Sequence, residues 1–96
     1  QQLQELSLGN NNLSIIPWQI GNLINLQTLG LENNNISSLP SEIGNLTSLQ
    51  TLDLKDSTFY SGDNNIVQLP ESIGQLTNLK HLDLNGNNLS KLPDSI

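Results

Sequence analysis

Leucine returns along this chain on a fixed period, and that period limits what the chain can fold into. Units opening with L-x-x-L-x-L begin at Leu3, Leu26, Leu49 and Leu79, which divides the 96 residues into stretches 3–25, 26–48, 49–78 and an incomplete 79–96. The first two are 23 residues long, the third is 30 and the last is 18. A unit of this size is a single supersecondary piece that cannot bury its own apolar face, so it is stable only when stacked on neighbours of the same kind. The period therefore predicts one array of about four coils rather than a globule with a central core.

Within each unit the spacing of the apolar residues assigns local structure. In L-x-L the period of two sends Leu6 and Leu8, Leu29 and Leu31, Leu52 and Leu54, and Leu82 and Leu84 to one side of a short strand. Parallel strands of successive coils lie about 4.8 Å apart, so these pairs are expected to form continuous leucine columns. Leu13, Ile36, Ile66 and Leu89 bring the chain back to the same interior. The Leu-Pro or Ile-Pro step at Pro17, Pro40, Pro70 and Pro93 ends the extended run and introduces a turn of helix. Ile20 with Leu23, Ile43 with Leu46, and Ile73 with Leu76 stand at i, i+3, which suits a short outer helix. Gly21, Gly44 and Gly74 inside these segments predict short or 3₁₀ helices. Asn11, Asn34, Asn64 and Asn87 recur where the chain leaves the strand. An amide offers both donors and an acceptor, so these four are expected to form a structural ladder that satisfies backbone groups at the turns.

The full pattern L-x-x-L-x-L-x-x-N-x-L, with Ile at its last position in two units, resembles the leucine-rich-repeat family from Leu3 to Ile96. The tail L-P-x-x-I-G-x-L, at Leu39 to Leu46 and Leu69 to Leu76, is similar to the 23-residue subclass of Ras-group intracellular and bacterial proteins. Asn88-Leu89-Ser90 runs directly to Lys91-Leu92-Pro93, without the extra glycine of plant receptor repeats. The resemblance implies an α/β, right-handed solenoid with short parallel strands on its concave face and short helices or 3₁₀ turns on its convex face. It also implies a protein-protein interaction module, a scaffold or signalling part, that uses the concave face. The setting expected from the subclass is cytoplasmic, bacterial-surface or secreted. Because the chain has no Met, it lacks an initiator and is expected to be a piece of a longer protein, flanked by further repeats or caps.

Charge narrows the partners. Three Lys and no Arg stand against nine acidic residues, for a net charge of -6. So few cations cannot neutralise many phosphates or bind an anionic membrane surface, which excludes nucleic acid and leaves a protein partner, of basic character, as the expectation. The apolar runs are too short for membrane insertion. With no Cys and one His, no thiol nucleophile and no zinc site are expected. His81 has Asp83 two residues on, but no Ser or Cys stands in a nucleophile motif beside them, so no catalytic residue is assigned. Asp53 and Asp83 are set side by side on adjacent strands, yet two carboxylates fall short of the roughly six to eight oxygens calcium takes, so no metal and no cofactor are assigned.

Candidate binding residues come from the outward strand positions and from the one irregular unit. The outward columns read Glu5, Thr28, Thr51, His81; then Ser7, Gly30, Asp53, Asp83; then Gly9, Glu32, Lys55, Asn85. Of these, Thr28, Glu32, Thr51, Asp53, Lys55, His81, Asp83 and Asn85 are the expected partner-facing side chains. The third unit carries KDSTFYSGD between Leu54 and Asn64 where its neighbours have two residues, and this insertion holds the chain's single Phe and single Tyr, Phe59 and Tyr60. Insertions in repeat arrays map to loops on one face, and aromatic residues on loops serve as anchors, so Phe59 and Tyr60 join the candidates, packing on a neighbouring coil being the other reading. Trp18, at the start of the first outer segment, is expected to pack against a preceding cap. Asn-x-Ser/Thr sequons at Asn12, Asn35, Asn45 and Asn88 arise largely from the repeat consensus. Two further functions remain open: a substrate-recognition segment of a kinase, GTPase or ubiquitin ligase, and an ice-binding array, against which the irregular columns argue.

Overall fold

Each coil of the structure, a computed structural model that describes residues 3–56 and 64–95, begins with a three-residue strand. These are β1 (Glu5–Ser7), β2 (Thr28–Gly30), β3 (Thr51–Asp53) and β4 (His81–Asp83), and they form one parallel sheet in chain order. Leu6, Leu29, Leu52 and Leu82 are register partners across it. Ladder bonds extend beyond the strands: the Leu8 N–H donates to Gly30 O, Leu31 to Asp53 O and Leu54 to Asp83 O, at 2.8–2.9 Å. The result is an α/β leucine-lined solenoid with a strand face on one side and short 3₁₀ helices on the other.

Those helices are η1 (Trp18–Asn22), η2 (Ser41–Asn45) and η3 (Glu71–Gln75). Pro17, Pro40 and Pro70 stand just ahead of them in extended conformation, ψ 150–156°. Each proline thus acts from outside the helix: its fixed φ ends the extended run, and its carbonyl accepts the N–H of Ile20, Ile43 or Ile73 at 3.0–3.1 Å. The isoleucine then points into the stack. After Pro93 the described residues show only a turn.

The helical glycines let neighbouring coils touch. A Cβ on Gly44 would lie 2.6 Å from the Ser72 carbonyl oxygen, and one on Gly21 would lie 2.8 Å from that of Glu42. In each case the obstacle is the backbone of the next helix. The convex side is further tied by Ser72 Oγ, which donates to Ser41 O at 2.6 Å, and Ser95 Oγ, which donates to Glu71 O at 2.7 Å.

Burial follows position in the stack. Leu26, Leu29, Leu31, Leu49, Leu52 and Leu54 are fully buried, whereas Leu6, Leu8, Leu13 and Leu23 of the first coil and Leu79, Leu82, Leu84 and Leu89 of the last are only partly covered. A coil is sealed only when it has a neighbour on both sides. In the first coil, Ile15, Trp18 and Ile24 are 77%, 58% and 57% exposed. They stand where the next coil has Ser38, Ser41 and Thr47.

The turns out of the strands are held by asparagine amides that reach across coils. Asn34 is fully buried. Its Oδ1 accepts the N–H groups of Asn11 and Leu13 at 2.9 Å, and its Nδ2 donates to the carbonyls of Leu8 (3.0 Å), Leu31 (3.1 Å) and Glu32 (3.3 Å). Asn64 repeats the clamp, accepting from Ile36 at 2.8 Å and donating to Leu31 O and Leu54 O. Asn87 accepts from Ile66 at 3.0 Å and donates to Leu54 O and Leu84 O. Asn11 differs, its Nδ2 donating within its own coil to Leu8 O and Gly9 O.

Two outcomes test this frame. Gly44→Ala, a change that ordinarily favours helical segments, is expected to destabilise by about 1–3 kcal/mol in urea unfolding, because the added methyl meets backbone. Asn34→Ala is expected to cost at least about 2 kcal/mol, since it orphans the buried Leu31 carbonyl and the N–H groups of Asn11 and Leu13, and Asn11→Ala distinctly less.

Candidate functional site

The strand face is the candidate site, and the register places its outward side chains in rows. Glu5, Thr28, Thr51 and His81 are successive partners in one row, and Ser7, Gly30, Asp53 and Asp83 in the next. One step further along the chain, beyond the strands, come Gly9, Glu32, Lys55 and Asn85. Thr28, Glu32, Thr51, Asp53, Lys55 and Asp83 are half-buried, and His81 and Asn85 exposed. The sequence candidates other than the aromatic pair therefore share one face. Phe59 and Tyr60 lie outside the described residues, within 57–63.

The acids on this face are not equivalent. Asp53 Oδ1 accepts the N–H of Lys55, and Asp83 Oδ1 accepts that of Asn85, each at 3.1 Å. Both carboxylates fold back along their own chain in the way an Asp caps a turn two residues on. Asp83 is thus directed to its own backbone. Glu32 is different. Its carboxylate lies across the two places where side chains are missing: a Cβ on Gly30 would come 3.1 Å from Glu32 Oε1, and one on Gly9 would overlap Oε2. Two glycines in adjacent rows leave a shelf, and Glu32 occupies it. No group of three or more His, Cys, Asp or Glu among the described residues is placed to hold a metal ion. Among the described residues no helix is long and apolar enough to cross a membrane.

Sequence reasoning passed over the left-handed residues that steer the chain off this face. Asn10, Asn33 and Gly86 have φ of 62°, 56° and 82°, and each stands immediately before the ladder asparagine. Asn and Gly are the residues that accept this conformation at least cost. Their recurrence at one repeat position was the available signal.

Comparison with known proteins agrees with this geometry. The chain matches a leucine rich repeat family profile over residues 1–59 and a second leucine rich repeat profile over residues 78–96. Among solved structures, a leucine-rich-repeat protein of Leptospira interrogans is similar, with a TM-score of 0.87 and 43% identity over 96% of this chain. The chain spans 22% of the length of that structure. None of the curated proteins matches.

The contrast between the acids is measurable. Asp53→Ala is expected to lower stability by about 1 kcal/mol through loss of an acceptor for the Lys55 N–H, whereas Glu32→Ala changes it by less than about 0.5 kcal/mol. Thermal unfolding of the two variants checks this.

Proposed function

Because the chain belongs to the leucine-rich-repeat family, whose repeats generally serve as protein-interaction modules, we propose that it is a non-catalytic recognition segment whose partner sits on the strand face and against the inserted loop. The observation that carries this reading is the uninterrupted outward face of four strands in register, together with an insertion that follows β3 in the sequence. Thr28, Thr51 and His81 form one contact row and Asp53 and Asp83 a second, with Glu32, Lys55 and Asn85 along the rim. Phe59 and Tyr60 are the aromatic anchors, of the residue class that dominates hot spots.

The charge of the face favours a basic partner. Glu32, Asp53 and Asp83 outnumber Lys55 among the contact residues, and the chain as a whole carries -6. Such complementarity accelerates encounter and sets orientation more than it adds affinity. A second reading is that the segment selects substrates for an enzyme domain of a longer protein, the chemistry being supplied elsewhere.

Replacing Phe59 and Tyr60 with Ser is expected to abolish capture of the partner in pull-down while leaving the melting temperature unchanged. Loss of folding instead would show that the two rings pack on the coils and would remove them from the binding site.

A further inference from the structure

Three consecutive residues of the fourth coil meet the chain where it enters the insertion. Asp56 is the last described residue before 57–63, and its N–H donates to Asn85 O at 2.8 Å. Asn87 Nδ2 donates to Leu54 O, also at 2.8 Å. Between these two, Gly86 faces the Asp56 carbonyl: a Cβ on Gly86 would overlap the Asp56 oxygen and come 2.9 Å from its carbonyl carbon. The obstacle is backbone, which cannot swing aside as the end of a side chain can.

The left-handed φ of Gly86 does not by itself call for glycine. Asn10 and Asn33 fill the same repeat position with φ of 62° and 56°, and Asn is a side chain that accepts this region at low cost. What differs is the coil in front. Asn10 stands one coil ahead of Asn33, and both are left-handed; Asp56 stands one coil ahead of Gly86, and its φ is not positive. The bond from each coil to the next is kept throughout, Asn10 N–H to Glu32 O, Asn33 N–H to Lys55 O and Asp56 N–H to Asn85 O. Past that shared bond the chain turns differently at Asp56, and the Asp56 carbonyl lies where a side chain at position 86 would stand. The departure falls at the residue from which the chain enters 57–63.

We propose that Gly86 is a positioning residue for the inserted loop: having no side chain, it seats the Asp56 carbonyl and so sets the direction in which the chain leaves Asp56 for Phe59 and Tyr60. The bearing of this seat on recognition rests on the function proposed above. The insertion of the third coil and the glycine of the fourth then form one unit. A side chain at position 86 suits a coil of ordinary length, as Asn33 shows, and is incompatible with the Asp56 carbonyl as it stands.

A double-mutant cycle tests this. Deleting residues 57–63 leaves Leu54-Lys55-Asp56-Asn64, the length of Leu31-Glu32-Asn33-Asn34 in the second coil, and releases Asp56 to turn as Asn33 does. Gly86→Asn installs the residue found at this position in the first two coils. In the 96-residue chain it is expected to lower the melting temperature by about 5 °C or more, and in the shortened chain by less than about half as much. Amide exchange followed by NMR adds a local measure. In the full-length Gly86→Asn chain the Asp56 N–H is expected to exchange at least about 10-fold faster, while the Asn33 N–H, which makes the same bond one coil earlier, changes far less. Equal losses of melting temperature in the two chains, or equal acceleration at Asp56 and Asn33, overturn the proposal, because a plain demand for glycine at a left-handed position would give them. If Gly86→Asn unfolds the full chain, or the shortened chain does not fold, adding Asp56→Gly to the Gly86→Asn chain decides. Recovery of the melting temperature supports the seat, and no recovery overturns it. None of these measurements uses a partner, so their failure is separate from a failure of the Phe59 and Tyr60 substitutions to abolish capture.

Discussion

One side chain in each of the last three coils governs this structure: the asparagine that reaches across to its neighbour. A chain that turns sharply out of a three-residue strand leaves N–H and C=O groups inside the stack, where no water can reach them and where an unmet group costs about 1–3 kcal/mol. Asn34, Asn64 and Asn87 meet this need by bonding to two coils at once. The same bonds set the stagger of successive coils. Once that offset is fixed, the leucine columns, the strand register and the approach of the 3₁₀ helices at Gly21 and Gly44 follow as one geometry.

Cooperativity then passes between nearest neighbours only. The second and third coils are sealed on both sides, and their leucines are buried; the first and fourth are sealed on one side, and theirs are only partly covered or exposed. Stability is a sum over interfaces rather than the property of a single centre. The strand face inherits its rigidity from that arrangement. Asp53, for example, rides between the fully buried Leu52 and Leu54.

The parts of the fold that were legible before any coordinates are those in which one residue type meets one physical need on a fixed period. The strand leucines and the isoleucines after each proline belong here, because apolar side chains at regular spacing have a single inward solution. The helix type was less determined, since five residues starting after a proline and containing glycine suit either geometry; contact between η2 and the Ser72 backbone leaves no room for a wider coil. Asn10, Asn33 and Gly86 were missed because a left-handed residue leaves no hydropathy trace. For the strand face, the rows could be aligned from the repeat alone. That Asp53 and Asp83 bond to their own backbone while Glu32 spreads over Gly9 and Gly30 could not, because both depend on side-chain torsions the period does not encode.

The position of the insertion has a consequence in polymer terms. In the second coil the ladder asparagine and the strand-end carbonyl it holds are three residues apart, Asn34 to Leu31; in the third, Asn64 and Leu54 are ten apart, and the bond is still made. Closing the longer loop adds only about 1 kcal/mol of chain entropy, because that cost grows with the logarithm of length. Both ends of the loop are pinned by the same clamp that every other coil uses. The length of chain between Leu54 and Asn64 can therefore change at small entropic cost while the clamp that joins them keeps the geometry of the coil.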